Sequence, residues 1–347
     1  MPIFTTPDKC PAMTTISKHI TLFLLLIYLC SCGSDAKKEN DAARMQDSIP
    51  AGDSTAAVKS EKLGYLESYN RAMELWKIPF AERDLKTSFG TAHVIISGPE
   101  GAAPLVLLHG MNASSTMWYP NVKAFSERYR VYAIDFLLEP GKSLCQAEIS
   151  STDEIVKWYY EIFDQLKLEK FDIVGASRGG WLAVNIALHR QSRIGRIALL
   201  SPAQTFTWIK PRKRILTNVI YSLNPKRRKL RNVLETMTFN VDNIRQAYIN
   251  QYYIATTNAK VSKCMLQMTP FSDDQLRSLK IPVLVLIGDN DIINNESGLE
   301  RAKKLIPGVE TGTVKNAGHF LSIDQPDVVN KLVMDFLNGT SHLTAKK

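Results

Sequence analysis

Gly175-Ala176-Ser177-Arg178-Gly179 sets a serine between glycines, where the apolar run Phe171-Asp172-Ile173-Val174 gives way to Gly179-Gly180-Trp181-Leu182-Ala183-Val184. The first stretch reads as a strand and the second as a helix. A hydroxyl on such a tight turn is presented for attack on a carbonyl, and glycines are needed because side chains there would strike neighbouring backbone. A serine hydroxyl is a weak nucleophile at neutral pH, so a base must take its proton. Of the six histidines, His319 in Asn316-Ala317-Gly318-His319-Phe320 is the best placed, between the last strand-like run and the last helical one. An acid must then orient the imidazole and stabilise its positive charge. Asp289 and Asp291 both follow the apolar run 282–287, at a strand tip where active-site groups gather in an open α/β sheet. Their spacing does not separate them.

Acyl transfer also requires hydrogen-bond donors for the developing oxyanion. The run Leu105-Val106-Leu107-Leu108 ends in His109-Gly110-Met111. The backbone N–H groups of Met111 and Arg178 are the expected donors. Gly110 would allow close approach to the substrate, and His109 would support the loop by hydrogen bonding rather than enter the chemistry. The sequence contains no H-E-x-x-H, C-x-x-C or Walker-type loop, so it calls for no metal and no cofactor.

Elements able to position these groups alternate along the chain. Short β-branched or apolar runs fall at 93–97, 105–108, 130–134, 171–174, 194–200, 283–287 and 310–314. Helical patterns fall at 116–128, 152–168, 179–190, 296–305 and 326–337. Near-continuous apolar runs of about five residues are the mark of parallel strands covered on both faces. Their alternation with helices predicts a doubly wound, mostly parallel α/β sheet. Residues 203–274 hold helical runs such as 240–255 but no convincing buried strand. An insertion there would sit above the carboxyl ends of the strands as a helical lid.

Taken together, these motifs resemble the α/β-hydrolase fold, in particular its lid-bearing, esterase- or lipase-like serine hydrolases, over roughly residues 79–337. The chain order Ser177, Asp291, His319 is that family's order. The resemblance matches its H-G loop to His109-Gly110, its nucleophile elbow to Gly175–Gly179, and its G-x-x-D acid motif to Gly288–Asp291. That choice implies Asp291 as the acid and leaves Asp289 as a turn-capping residue. The family's G-H-F base motif matches Gly318-His319-Phe320, followed by Asp324 and Pro326, and Asp135 matches a structural aspartate. One departure follows Asp135, where many relatives have an R-G-x-G-x-S type sequence. Here the loop is Phe136-Leu137-Leu138-Glu139-Pro140-Gly141-Lys142-Ser143, which keeps only the Gly-x-Ser end. Dehalogenases and epoxide hydrolases of this fold use an aspartate at the elbow, so Ser177 implies acyl-enzyme chemistry on a small-molecule ester or related acyl compound. Transfer of the acyl group to an alcohol or amine on the same triad, and a non-catalytic membrane-tethered binding module, are the alternative readings.

The remaining features concern placement. With 45% hydrophobic and 22% charged residues, whole-chain disorder and a multi-span membrane protein are both excluded. The run Ile20–Cys30 is too short to span a bilayer, which takes ~20 residues, but suits a signal-peptide core. Together with Ser31-Cys32-Gly33 it resembles a bacterial lipoprotein signal. Cys32 fits the lipidated position better than Cys30, and Met13 makes the more natural start. The expected organisation is a signal over 1–32, a disordered tether over 33–60, the hydrolase domain over 61–340 and a tail over 341–347. Export and lipid anchoring to a bacterial cell-envelope membrane follow from this reading. Cys145 and Cys264 are expected to be buried thiols. The net charge of +9 has one address: residues 205–234 carry nine basic residues and no acidic one. This stretch could be a solvated face or could meet anionic head groups, each cation contributing ~1 kcal/mol near such a surface. Nucleic acid is not an expected partner, because few aromatic residues are available for base stacking and no recognised module is present.

Overall fold

A computed structural model describes residues 54–258, 267–341 and 343. The chain divides between Val58 and Lys59, and the fold is that of the second unit, Lys59–Lys347. The expected signal segment, Cys30, Cys32, the tether up to residue 53, Cys264 and residues 344–347 lie outside the described residues.

Among the described residues, nine strands form one sheet in the order β1 (Phe80–Thr87), β2 (Gly90–Ser97), β4, β3, β6, β7, β8, β9, with a short β5 (Leu144–Cys145) paired to β2. From β4 onward, β4 (Tyr129–Ile134), β3 (Ala103–Leu108), β6 (Phe171–Ala176), β7 (Ile194–Leu200), β8 (Val283–Gly288) and β9 (Glu310–Val314) run parallel. Every strand predicted from the apolar runs lies within one of these or within β2 (Gly90–Ser97). Successive side chains alternate between two cores, as a pleated strand requires. Val106 and Leu108 of β3 face one core, and Leu105 and Leu107 face the other. One core is closed by α3 (Thr152–Gln165), α4 (Arg178–His189) and α9 (Glu296–Leu305). The other is closed by α1 (Ser54–Met73), α2 (Val122–Ser126) and α11 (Pro326–Leu337).

One strand was missed and several expectations need correction. The antiparallel edge strand β1 (Phe80–Thr87) was not visible as an apolar run, because five of its first six residues are charged or exposed and only Leu85 is buried. The helix expected over 116–128 is broken into a 3-10 turn, Ser115–Trp118, and α2. Pro120 lies between them and lacks the N–H that a continuous helix would donate to Thr116 O, which accepts from Tyr119 N instead. The helix α1 begins at Ser54, inside the stretch read as tether, and its C-terminal half buries Tyr65, Tyr69 and Met73. Cys145 is exposed rather than buried, because β5 (Leu144–Cys145) lies at the open end of β2, and its thiol donates to Ala147 O at 3.1 Å.

Between β7 and β8 stands an insertion built of α5 (Lys213–Leu223), α6 (Arg227–Met237), a 3-10 turn at Val241–Asn243, α7 (Gln246–Asn258) and α8 (Asp273–Ser278). The helix expected from residue 240 starts later. Asn240 instead accepts a hydrogen bond from Asp242 N at 3.1 Å to cap the 3-10 turn, and Ile244 is extended. The insertion shares the second core through Tyr221, Leu230, Leu234, Tyr248 and Tyr252. It is also pinned by the buried Gln251, which accepts from Thr116 Oγ1 at 2.6 Å and donates to Ser114 Oγ at 2.9 Å. Among the described residues, no helix is long and apolar enough to cross a membrane.

Candidate active site

Ser177 sits between the end of β6 and the start of α4 with φ 52° and ψ −115°. A non-glycine residue in that region is strained by about 1–3 kcal/mol and persists only where its surroundings enforce it. Here the Ser177 N–H donates to Leu200 O of β7 at 2.9 Å, and the Ser177 carbonyl accepts from Gly180 and Ala203. The flanking glycines are a steric requirement. A Cβ on Gly175 would lie 2.3 Å from Gly179 O, and one on Gly179 would lie 2.1 Å from Leu108 O. The turn is closed so tightly that only hydrogen fits on either side of the serine.

The three side chains singled out by sequence meet at the tips of β6, β8 and β9. His319 Nε2 lies 2.9 Å from Ser177 Oγ, and His319 Nδ1 lies 3.1 and 3.3 Å from the two Asp291 oxygens. Asp291 and His319 are buried. Burial alone would raise the Asp291 carboxyl. Its neighbour His319, together with hydrogen bonds from His319, Asn294 and the Ile293 N–H, outweighs that and holds the carboxyl below its ordinary range. Asp289 does not hydrogen-bond His319. Its Oδ1 accepts from Ala317 N at 3.2 Å and Asn290 Nδ2 at 2.8 Å, so it caps the loop that carries the histidine.

The loop after β3 approaches the serine as expected. A Cβ on Gly110 would lie 3.3 Å from Ser177 Cβ and 3.9 Å from its Oγ, so a side chain there would press on the serine by a few tenths of an ångström. Met111 and Arg178 flank this point on the two facing segments and both line the pocket in front of Ser177. His109 does not face the pocket chemistry. Its Nδ1 donates to Gly110 O at 2.9 Å and its Nε2 accepts from Phe136 N at 2.8 Å, a pattern that needs a neutral ring. Burial pushes its pKa down, in keeping with that neutral form. Asp135 is fully buried and accepts from Ser115 N and Lys142 N, both at 2.8 Å, so it ties two loops together.

Two further carboxylates find their partners only in three dimensions. Glu139, from the loop that departs from the usual pattern, pairs with the Arg178 guanidinium and accepts from Asn112 N at 2.8 Å. It therefore joins the residue after Ser177 to the residue after Met111. Asp324 Oδ2 accepts from Gly318 N at 2.8 Å and from Phe239 N at 2.9 Å, while Oδ1 accepts from Asn240 N at 3.3 Å. Burial raises its carboxyl, and the three backbone donors only partly offset that. Phe320 N donates to Met237 O at 3.0 Å, so the histidine loop rests directly on the end of α6. Sequence spacing carried no signal for either tie, since both span loops whose conformation the residue types do not specify.

The pocket in front of Ser177 has a volume of about 150 Å³ and a largely apolar wall, including Met117, Ile209, Met237, Tyr252, Met268 and Ile293. A wider cleft of about 540 Å³ beside Tyr119, Arg245 and Pro326 has no serine, cysteine, histidine or carboxylate in its lining. Among the described residues, no group of three His, Cys, Asp or Glu side chains could hold a metal ion.

Residues 103–326 match the family model of the alpha/beta hydrolase fold, which is more than half of the chain. The chain belongs to the α/β-hydrolase fold family. Among its relatives is a Bacillus subtilis protein named uncharacterized carboxylesterase nap, 34% identical over 81% of this chain and 94% of its own length. Carboxylesterase YbfK of the same organism is 32% identical over 82% of this chain and 96% of its own. The crystal structure of naproxen esterase from B. subtilis superposes with a TM-score of 0.76 at 32% identity, covering 83% of this chain and all of that one. As an α/β-hydrolase, this chain has a central, mostly parallel sheet, and its loop 136–143 reaches the residue after Ser177 through Glu139.

Proposed function

We propose that the protein is a carboxylesterase that works through an acyl-enzyme on Ser177. The observation that carries this reading is the continuous chain of contacts from Ser177 Oγ through the His319 ring to Asp291. The apolar pocket in front of it and the carboxylesterase names of two relatives at 32–34% identity support the same reading. His319 Nε2 takes the hydroxyl proton as Ser177 Oγ attacks the ester carbonyl carbon. The resulting oxyanion faces the backbone N–H groups of Met111 and Arg178. Collapse breaks the bond to the alcohol oxygen, which leaves with the proton from His319. Water then repeats the sequence on the acyl-enzyme and releases the carboxylate. Asp291, held ionised, keeps Nδ1 protonated and balances the imidazolium. Within this reading the insertion is a lid, since Ile209, Met237, Tyr248, Tyr252 and Met268 all line the pocket.

A fluorophosphonate probe tests it. Labelling of Ser177, absent in Ser177→Ala, is the expected outcome, and turnover of short acyl esters should fall by at least about 10⁴-fold in that variant. A folded protein that is not labelled and turns over no ester in a chain-length panel would refute the assignment. We also infer that Cys32 is the acylated N-terminus of an exported, membrane-anchored protein. Mass spectrometry of the mature chain should find a diacylglyceryl-modified Cys32, and a mature N-terminus at any other residue counts against it.

A further inference from the structure

The nine cations of residues 205–234 share their surface with large apolar side chains that are about half exposed. All nine are exposed, and among the described residues only Arg231 is ion-paired, with Glu235 and Asp242. Leu216, Ile220 and Leu223 stand at i, i+4 and i+7 on α5, opposite its buried Tyr221, and each is about half exposed at 48, 50 and 54%. Spacing of this kind sets three large aliphatic side chains in one stripe along the helix. Lys213 precedes the stripe, and Lys226, Arg228 and Lys229 follow it at the start of α6, which packs against α5. Two aromatic residues of the insertion, Trp208 and Phe239, are also half exposed, at 47 and 52%. Each lies within two positions of a residue that lines the pocket, Ile209 and Met237 respectively.

We propose that the outer face of α5 and the start of α6 is a docking surface for an anionic lipid bilayer. A water-facing helix places its charges outward and its apolar residues inward, as α6 does with Leu230, Val233 and Leu234. On α5 the order is reversed for three residues, and a ring of uncompensated cations stands beside them. That combination matches an interface-bound helix, whose apolar side enters the acyl boundary while lysine and arginine meet the head groups. A tryptophan at the rim suits the same boundary. A second copy of the chain fits less well, because symmetrical pairing would set the same cations against one another. Docked in this way, the pocket walls formed by Ile209 and Met237 lie next to the lipid-facing residues, so an ester dissolved in the bilayer has a short path to Ser177.

The test uses the full chain with vesicles of phosphatidylglycerol and of phosphatidylcholine, read by partitioning and by amide hydrogen exchange. Slower exchange in residues 208–231 is expected on phosphatidylglycerol and not on phosphatidylcholine, which separates this face from any general membrane attachment elsewhere in the chain. K226E/R228E/K229E should remove the protection of residues 208–231 on phosphatidylglycerol. L216S/I220S should abolish the local protection while circular dichroism stays unchanged. Docking needs no reacting serine, so Ser177→Ala should partition like the parent, and failure of the esterase reading would leave this result intact. Unchanged exchange on phosphatidylglycerol overturns the proposal, and so does protection that survives the charge reversals. Protection that grows with protein concentration in the absence of lipid assigns the face to a second copy and overturns it equally.

Discussion

The strand tips and the helical insertion hold their charges in opposite ways. At the tips, Asp291, Asp135, Asp324 and Glu139 are buried, and each accepts at least one backbone N–H. In the insertion, the nine basic residues of 205–234 are exposed, and eight of them have no carboxylate partner among the described residues. Removing a charge from water is costly, so a buried carboxylate persists only where donors are already arranged to receive it. Its position is then set by the backbone around it. A cation on the surface is set by nothing comparable and answers to whatever approaches from solvent. The first region fixes geometry to within a hydrogen bond, while the second defines a field.

That contrast breaks first at Asp291. In Asp291→Asn the imidazole loses its charge partner, and ester turnover should drop by about 10⁴-fold. Asp289→Asn should cost far less, since Asp289 touches the histidine loop and not the ring. Equal losses in the two variants would show that the strand tip works as a unit and that the acid is misassigned. The same carboxyl makes a pH prediction. Its folded pKa lies below the unfolded value of about 3.9, so it stabilises the fold above that value and loses this contribution as pH falls through the folded one. The stability gap between Asp291→Asn and the parent, measured by urea unfolding, should be widest near neutral pH and should close below about pH 4.

Glu139→Gln should come next. It keeps the shape and an acceptor but removes the charge that pairs with Arg178. A roughly tenfold fall in kcat with little change in KM is expected, because the expected donors flank the two segments it joins. A change in KM alone would mark Glu139 as a binding-loop residue instead. Asp324→Asn should lower unfolding stability by about 1–3 kcal/mol, because an amide cannot accept from all three backbone donors without turning an N–H toward one of them. It should also loosen 237–240, since Asp324 and Met237 together seat the histidine loop on the insertion. The smallest effect belongs to the other region. Arg228→Glu should shift stability by less than about 0.5 kcal/mol and leave turnover of a soluble short-chain ester unchanged. A clear loss on the soluble substrate would mean that the surface field reaches the pocket, and the contrast drawn above would fail.

Much of the protein could be read before any coordinates. The parallel strands were legible because burial on both faces demands continuous apolar runs, as in Leu105–Leu108 and Val283–Ile287. The glycines of the elbow were legible because the turn excludes every other side chain. β1 was not, because an edge strand with one buried position has no apolar period to detect. The break at Pro120 was available in principle, but the helical pattern on either side masked it. The exposure of Cys145 depends on where β5 meets β2, and a cysteine carries no mark of that.

Residue types and their order alone determined the α/β sheet, the serine turn, the histidine loop and the cluster of cations between 205 and 234. Each depends on a local requirement: side-chain period, steric exclusion at a turn, or charge composition. Spacing left Asp289 and Asp291 unseparated, and the fold brings the carboxylate of Asp291 to the imidazole while that of Asp289 turns to Ala317 N. Tertiary structure also decided what Glu139 and Asp324 do, because Asn112 lies 27 residues from Glu139 and Phe239 lies 85 residues from Asp324. And it alone exposed the apolar stripe of α5, whose residues would read as core in any sequence and are surface here because the helix turns its Tyr221 side to the protein.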